Sequence, residues 1–292
     1  MVLEGRAANF PIRGRTMPGT CRNRPVTWRF VDTGPCDGPA NMAIDEALLA
    51  SFDTDSSLPV FRLYGWAPAT LSLGRFQHAG EVLDLNRCRT SGIQIVRRIT
   101  GGGVIYHTAE LTYSLVCAPH HLPPAASIKE SFRILTSFLI SLYRNLGLDA
   151  SFAVDRLPAG TPLGERTPFC FAGKESYDIL IGTRKIGGNA QRRLKNAIFQ
   201  HGSIPLVNMA EEGMRFLREL PVGVREGTTS LESEGVPLTA EQLKEPLKSA
   251  FQECLGTILA KGALSSRERD AARRLLGKYR GDAWNMGGTS EA

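Results

Sequence analysis

The chain has 292 residues, 42% hydrophobic and 22% charged, with a formal net charge of +6. This is the balance of an ordinary globular protein, long enough for one large domain or two modest ones, and no apolar run approaches the ~18 residues of a membrane span. The charge favours encounter with acidic partners without naming one.

The first 26 residues carry Arg6, Arg13, Arg15, Arg22 and Arg24. They lack the continuous apolar segment of a secretory signal, and Gly and Pro interrupt the amphipathic helix of a transit peptide. A disordered basic extension is expected over 1–26, with Met17 as an alternative start. The six cysteines, Cys21, Cys36, Cys88, Cys117, Cys170 and Cys254, form no CxxC pair. Zinc-ribbon and thioredoxin-like readings lose their signature, and a reducing, cytosolic setting is expected.

Ordered structure is expected to start near "TWRFVDTGP". A helix follows at "NMAIDEALLASF", with Ile44, Leu48 and Phe52 in helical spacing. "VFRLYGW" and "TLSLGRF" read as strands around a Pro-containing turn, and "IQIVRRI" and "GVIYH" as strands flanking a run of three glycines. In "LTYSLVCAP", alternation puts Leu111, Tyr113, Leu115 and Cys117 on one face.

The clearest helix is "SIKESFRILTSFLISLYRNLG". Ser127 and Glu130 have the spacing of a capping box, and Gly147 ends the helix. Ile128, Phe132, Leu135, Leu139, Leu142 and Leu146 make its apolar stripe. Residues 155–168 hold three Pro and two Gly and read as a loop. "YDILI-GT-RKIGG" then reads as a hairpin with a two-residue turn, and "AIFQHGSIPL" as another strand. Two later helices open with capping boxes, Thr239 with Gln242 and Ser265 with Glu268, and Pro246 is expected to kink the first. The pattern predicts an α/β (α+β) fold with a largely non-parallel sheet.

Three consecutive glycines, Gly101, Gly102 and Gly103, are costly inside regular structure, but they let backbone amides approach a ligand closely. Arg97 and Arg98 before them could meet a phosphate or carboxylate. Neither a P-loop nor a dinucleotide-binding spacing is present. Taken alone, the run reads equally as a ligand site and as a bulged turn. "GTRKIGGN" repeats the theme, with Lys185 before Gly187 and Gly188, and two glycine-lined strands could meet as a slot for a thin ligand. Cys170, between Phe169 and Phe171, could be a buried structural thiol or a nucleophile activated by a nearby cation, and Lys185 is a candidate for that cation. His107 and His201 are candidate pocket residues, and no histidine spacing suggests a metal.

"RRITGGGVIYHTAELTYS" and "CFAGKESYDILIGTRKIGGNAQRRLKNAIFQHGSIPL" resemble the lipoate-attachment family of octanoyltransferases and lipoate–protein ligases, which share the catalytic fold of biotin protein ligases. "TWRFVDTGPCDGPANMAIDEALL" and the ending "KYRGDAWN" resemble it too, so the likeness runs from about Thr27 to Asn285. It implies a biotin/lipoate ligase-like catalytic domain over 27–250, with a mixed, largely antiparallel sheet packed by helices, and a C-terminal helical segment, 251–292, packed on it.

"CF" followed by Ser176, Tyr177 and Asp178, and Glu110 to Ser114 after His107, are similar to members that carry octanoyl through a cysteine thioester. ATP-dependent ligases more often carry Asp-x-Gly-Asn just after the histidine, where this chain has Thr108, Ala109 and Glu110, and they lack the loop cysteine. The resemblance therefore implies Cys170 as the acyl-accepting nucleophile and Lys185 as its lysine partner. Arg97, Arg98, Gly101, Gly102, Gly103, His107, Gly187 and Gly188 would bind the substrate. The implied donor is octanoyl–acyl carrier protein, and the implied acceptor is a lipoyl-domain protein such as the H protein of glycine cleavage. No cofactor, metal, nucleic acid or membrane is expected. The rival readings are an ATP-dependent lipoate–protein ligase, an amidotransferase between lipoyl domains, and a non-catalytic binder on the same scaffold.

Overall fold

A computed structural model describes residues 25–125, 127–158, 169, 175–221 and 223–287. Twelve strands are present among them: β1 (Thr27–Cys36), β2 (Val60–Trp66), β3 (Thr70–Leu73), β4 (Gln94–Arg97), β5 (Ile105–His107), β6 (Glu110–Cys117), β7 (Ala150–Phe152), β8 (Ile179–Ile181), β9 (Arg184–Lys185), β10 (Gly188–Arg193), β11 (Ile198–Pro205) and β12 (Ile258–Gly262). The four long helices are α1 (Gly38–Ser51), α2 (Ile128–Asn145), α3 (Ala240–Leu255) and α4 (Ser266–Arg280).

The main sheet runs β10-β11-β6-β2-β1-β12. Its pairs are antiparallel from β10 to β2, while β1 lies parallel to both β2 and β12. Two three-stranded sheets, β4-β3-β5 and β7-β8-β9, flank it. The architecture is the mixed α/β, mostly antiparallel arrangement expected from the sequence.

The long helices cover both faces of the main sheet. On one face, Leu111, Tyr113, Leu115 and Cys117 of β6 join Leu135, Phe138, Leu139 and Leu142 of α2 and Leu243, Leu247 and Phe251 of α3 in one apolar cluster. Its aromatic centre has Phe61 stacked on Phe251 at 4.4 Å, with Trp28 edge-on to Phe251 at 5.0 Å. On the other face, α1 packs beside α4 over Val60, Tyr64, Trp66, Val116 and Phe199.

Local signals mostly match the observed ends. Ser127 Oγ accepts from the Glu130 amide to start α2. Thr239 with Gln242 and Ser265 with Glu268 form reciprocal capping boxes. The β8–β9 hairpin turns at Gly182, whose φ of +61° suits a tight turn best without a Cβ. Helix α3 continues through Pro246 to Leu255.

Three expectations change. The loop read over 155–168 begins with a helical turn, Ala153–Arg156, and 159–168 lie outside the described residues, as do 1–24. The α2 stripe is not wholly core: Ile128 is 63% exposed and Phe132 half-buried. The boundary at 250/251 falls inside α3, and the segment beyond it is not only helical, because β12 extends the main sheet beside β1.

Candidate active site

A cavity of about 750 Å³ opens where the main sheet meets the β4-β3-β5 sheet. The 101–103 glycines and Gly188 both line it, so the two glycine segments share one space. Phe76 and Ile128, 42% and 63% exposed, mark its mouth, while Met42, Tyr64 and Trp66 are buried at its inner end. Phe132 and Tyr177 add aromatic wall.

Lys185 reaches this cavity from β9 and is only 3% exposed. Its Nζ lies 2.7 Å from Asp178 Oδ2, an acid that is also buried. The hairpin that carries the lysine is held by Leu180 opposite Lys185, and the Lys185 carbonyl accepts from the Thr229 amide at 3.0 Å. A charge this deep persists only when it is paired.

Cys170 lies outside the described residues, so its distance to Lys185 is not part of the geometry. Its chain neighbour Phe169 is fully buried and bridges Val104, the residue after Gly103.

Two buried histidines line the cavity, each set between a hydroxyl and a carboxylate. His107 Nδ1 lies 2.8 Å from Glu110 Oε1 and Nε2 lies 2.7 Å from Ser72 Oγ, with the ring stacked 4.0 Å from Trp66. Burial works to raise the Glu110 pKa, but the charge of His107 and hydrogen bonds from His107 and Thr112 outweigh it and hold the carboxyl below its usual value. His201 Nε2 lies 2.7 Å from Thr100 Oγ1 and Nδ1 lies 3.6 Å from Asp45 Oδ2.

Asp45 also accepts from Arg62 at 2.7 Å, Ser114 at 2.8 Å and Tyr64 at 2.9 Å. Burial would raise the Asp45 carboxyl, and Arg62 chiefly brings it below its usual value. Burial pushes His201 down, and Asp45 only partly opposes that. Both shifts favour an ionised Asp45 and a neutral His201, the first chiefly through Arg62 and the second through burial.

The two arginines before the glycines part company. Arg98 lines the cavity, and its guanidinium donates to the carbonyls of Ser72, Gly101 and Gly103, which props the glycine run. Arg97, expected to bind substrate, is not among the cavity-lining residues. Side chains alternate along a strand, and Arg97 turns away to donate to the carbonyls of Gly74, Arg75, Gln77, Trp284 and Asn285. Gly187 is also absent from the lining. Its φ is +79°, and a Cβ there would come 2.1 Å from the Ser203 carbonyl, so close backbone packing accounts for it.

Residues not singled out from the sequence complete the site: Ser72, Trp66, Tyr64, and the Asp45–Arg62 pair beneath His201. One available signal was the polar set Glu110, Thr112 and Ser114 alternating with the apolar face of β6, which would ordinarily mark a solvated face. All eight residues of β6 are buried. Among the described residues, no cluster of His, Cys, Asp and Glu could hold a metal ion.

Residues 37–252 match the family described as the lipoyl protein ligase A/B catalytic domain. Curated relatives named octanoyltransferase LipM include those of Kyrpidia tusciae and Bacillus subtilis, each 35% identical over 89% of this chain and 98% of the relative. Similar solved structures include lipoate-protein ligase A bound with ATP, 27% identical with a TM-score of 0.74 over 90% of this chain and 100% of that one. The Thermoplasma acidophilum protein Ta0514, described as a putative lipoate protein ligase with bound lipoic acid, is also 27% identical, with a TM-score of 0.73 over 89% and 100%.

Proposed function

The chain belongs to the lipoyl protein ligase A/B catalytic domain family, and from that membership we propose that it moves octanoyl from acyl carrier protein, through a thioester on Cys170, to the lysine of a lipoyl-domain protein. The observation that carries the reading is Lys185: a buried, ion-paired lysine at the wall of an aromatic and glycine-lined cavity.

The cavity suits a thin apolar chain. Gly188, Ser203, Thr112 and Tyr64 stand in one register row across β10, β11, β6 and β2. Three strand spacings of ~4.8 Å make a row of ~14 Å. An eight-carbon chain with C–C bonds of ~1.5 Å extends to ~9 Å. An acyl carbonyl near Lys185 would therefore leave the chain end beside Tyr64, Trp66 and Met42. Gly188 brings no side chain to the row, Thr112 Oγ1 is engaged by Glu110 and Trp66, and the Tyr64 hydroxyl is engaged by Asp45, so much of the row presents carbon to the ligand.

In the proposed first step, the Cys170 thiolate attacks the donor thioester carbonyl. A new C–S bond forms, and the donor thiolate leaves with a proton from Lys185. The acceptor lysine then attacks the acyl-enzyme, neutral Lys185 takes its proton, and Cys170 leaves as thiolate. The lysine charge favours the thiolate at both ends of the cycle. A thioester is already activated, so this reading routes no step through ATP. We place the enzyme in the cytoplasm, in keeping with Cys36, Cys88, Cys117 and Cys254 all being free thiols. The second reading, an ATP-dependent ligase, draws on the likeness to the ATP-bound ligase structure.

Intact-protein mass after mixing with octanoyl–acyl carrier protein, without ATP, separates the two. Wild type is expected to gain one hydroxylamine-labile octanoyl group, and Cys170→Ala none. An unmodified wild type, with ATP-dependent use of free lipoate by both forms, would replace the transferase with the ligase.

A further inference from the structure

The ending "KYRGDAWN" has no part in the proposed chemistry, yet it is bonded to the cavity wall through a residue that the wall depends on. Arg97 is fully buried at the end of β4. Its Nε donates to the Trp284 carbonyl at 2.7 Å and its Nη2 to the Asn285 carbonyl at 2.8 Å. From the other side of the fork, Nη1 donates to the carbonyls of Gly74 at 2.8 Å, Arg75 at 3.1 Å and Gln77.

The backbone repeats the connection. The Arg97 amide donates to Asn285 Oδ1 at 3.0 Å, Trp284 Nε1 donates to the Arg97 carbonyl at 3.0 Å, and the Ala79 amide donates to the Met286 carbonyl at 3.2 Å. Asn285 Nδ2 closes the turn on the Tyr279 carbonyl at 2.7 Å. Lys278 Nζ stands 3.8 Å over the Trp284 ring.

Residues 74–77 are the near side of the cavity mouth. Phe76 and Gln77 line it, and the Arg75 amide bonds the Thr100 carbonyl at 2.8 Å. Gly74 lies so close to the glycine run that a Cβ on it would stand 1.9 Å from the Gly102 carbonyl. A planar fork with five N–H donors can tie two loops together in a way that one ammonium cannot. Lys185 and Asp178 hang on a different hairpin and do not depend on this connection.

We propose that the C-terminal turn Asp282–Asn285 acts through Arg97 to position the mouth of the acyl cavity, with Trp284 and Asn285 as positioning residues for binding of the acyl donor. The inference rests on the acyl-transfer reading. Loss of the turn frees residues 74–77 and the glycine run to move, so donor binding weakens while the reacting groups stay in place. An effect confined to binding raises KM and leaves kcat.

The test is steady-state transfer from octanoyl–acyl carrier protein by the full chain, with thermal melting and acyl-adduct amplitude recorded on each variant. Asn285→Ala is expected to raise donor KM roughly tenfold with kcat within about twofold of wild type. Asn285→Asp, which keeps an acceptor for the Arg97 amide but loses the Nδ2 donor to the Tyr279 carbonyl, is expected to recover only part of that loss. Arg97→Lys should resemble Asn285→Ala, and the double variant should be no worse than the more impaired single one, as expected for two residues acting as a unit. Unchanged KM in folded variants, with only a lower melting temperature or active fraction, would reduce the turn to a structural prop and overturn the inference. A wild type that forms no adduct would instead overturn the transferase reading.

Discussion

The two faces of the main sheet are built from the same strands by opposite rules. Toward α2 and α3, β2 and β6 present Phe61, Leu63, Leu111, Tyr113, Leu115 and Cys117, all apolar or nearly so. Toward α1 and the cavity, neighbouring positions present Arg62, Tyr64, Glu110, Thr112 and Ser114, joined by His201 and Ser203 from β11. Both faces are buried. The first is held mainly by non-directional packing, which tolerates change of shape when volume is kept, with Gln200 bonded to Tyr113 and Thr136 as its polar exception. The second is held by matched donors and charges, where one missing partner strands another.

The largest difference should appear when one group is deleted from each face. Asp45→Ala leaves Arg62, wholly buried, facing only neutral oxygens. Such an uncompensated charge costs about 3–5 kcal/mol. Leu139→Ala on α2 opens an apolar cavity at about 2–5 kcal/mol. Urea denaturation reads both, and the faces separate in activity: Leu139→Ala should keep its donor KM once folded, whereas Asp45→Ala should lose the His201 setting and most turnover. Equal activity in the two folded variants would erase the distinction.

A finer comparison stays within one strand. Thr112 Oγ1 accepts from Trp66 Nε1 at 2.8 Å and donates to Glu110, while Leu115 three residues on belongs to the apolar cluster. Thr112→Val keeps the volume but strands the indole N–H and removes a donor from a buried carboxylate, at about 1–3 kcal/mol. Leu115→Met, also close in volume, should cost under about 1.5 kcal/mol. A smaller loss for Thr112→Val than for Leu115→Met in chemical melts would mean that the polar face is not specified by its hydrogen bonds.

The first face was legible because its signals are local. Alternation gave the inward residues of β6, helical spacing gave Leu135, Leu139 and Leu142, and cap residues marked three helix starts. Ile128 fits the spacing of the apolar stripe, yet it is exposed, because the helix starts at the cavity mouth. The second face is assembled from α1, β2, β5, β6 and β11, and no spacing relates Asp45 to Arg62 or His201. Arg97 illustrates the limit most clearly: a positive residue beside glycines reads as an anion binder, yet it bonds a carbonyl 187 positions away. The family motifs brought Lys185, Arg98, the 101–103 glycines and His107 to attention, and these share one cavity. Gly187 beside them serves backbone packing instead.

The mildest test uses protons rather than substitutions. His201, Glu110 and Asp45 all have pKa values below their usual 6.5, 4.5 and 3.8. Burial sets the direction for His201, whereas partners overcome burial for the two acids. In each case the unfolded chain takes up a proton before the folded one does, so stability rises with pH across the gap and falls on acidification. The loss should therefore begin below about pH 6.5, where unfolded histidine starts to charge, and steepen near pH 4, where unfolded carboxylates protonate. The contribution of each depressed group is fully present only above its unfolded pKa. Chemical denaturation midpoints from pH 8 to pH 4 trace this curve. His201→Gln, which keeps a neutral polar side chain, should make the branch between pH 6.5 and 5 shallower, with His121, which burial lowers to about 4, keeping part of its slope, and leave the lower branch in place. Leu139→Ala should shift the whole curve down without changing its shape, because the face it injures carries no titrating group in this range. A His201→Gln curve parallel to wild type would mean that His201 is not held neutral by the fold, and would remove it from the account of how the second face keeps its charges in order.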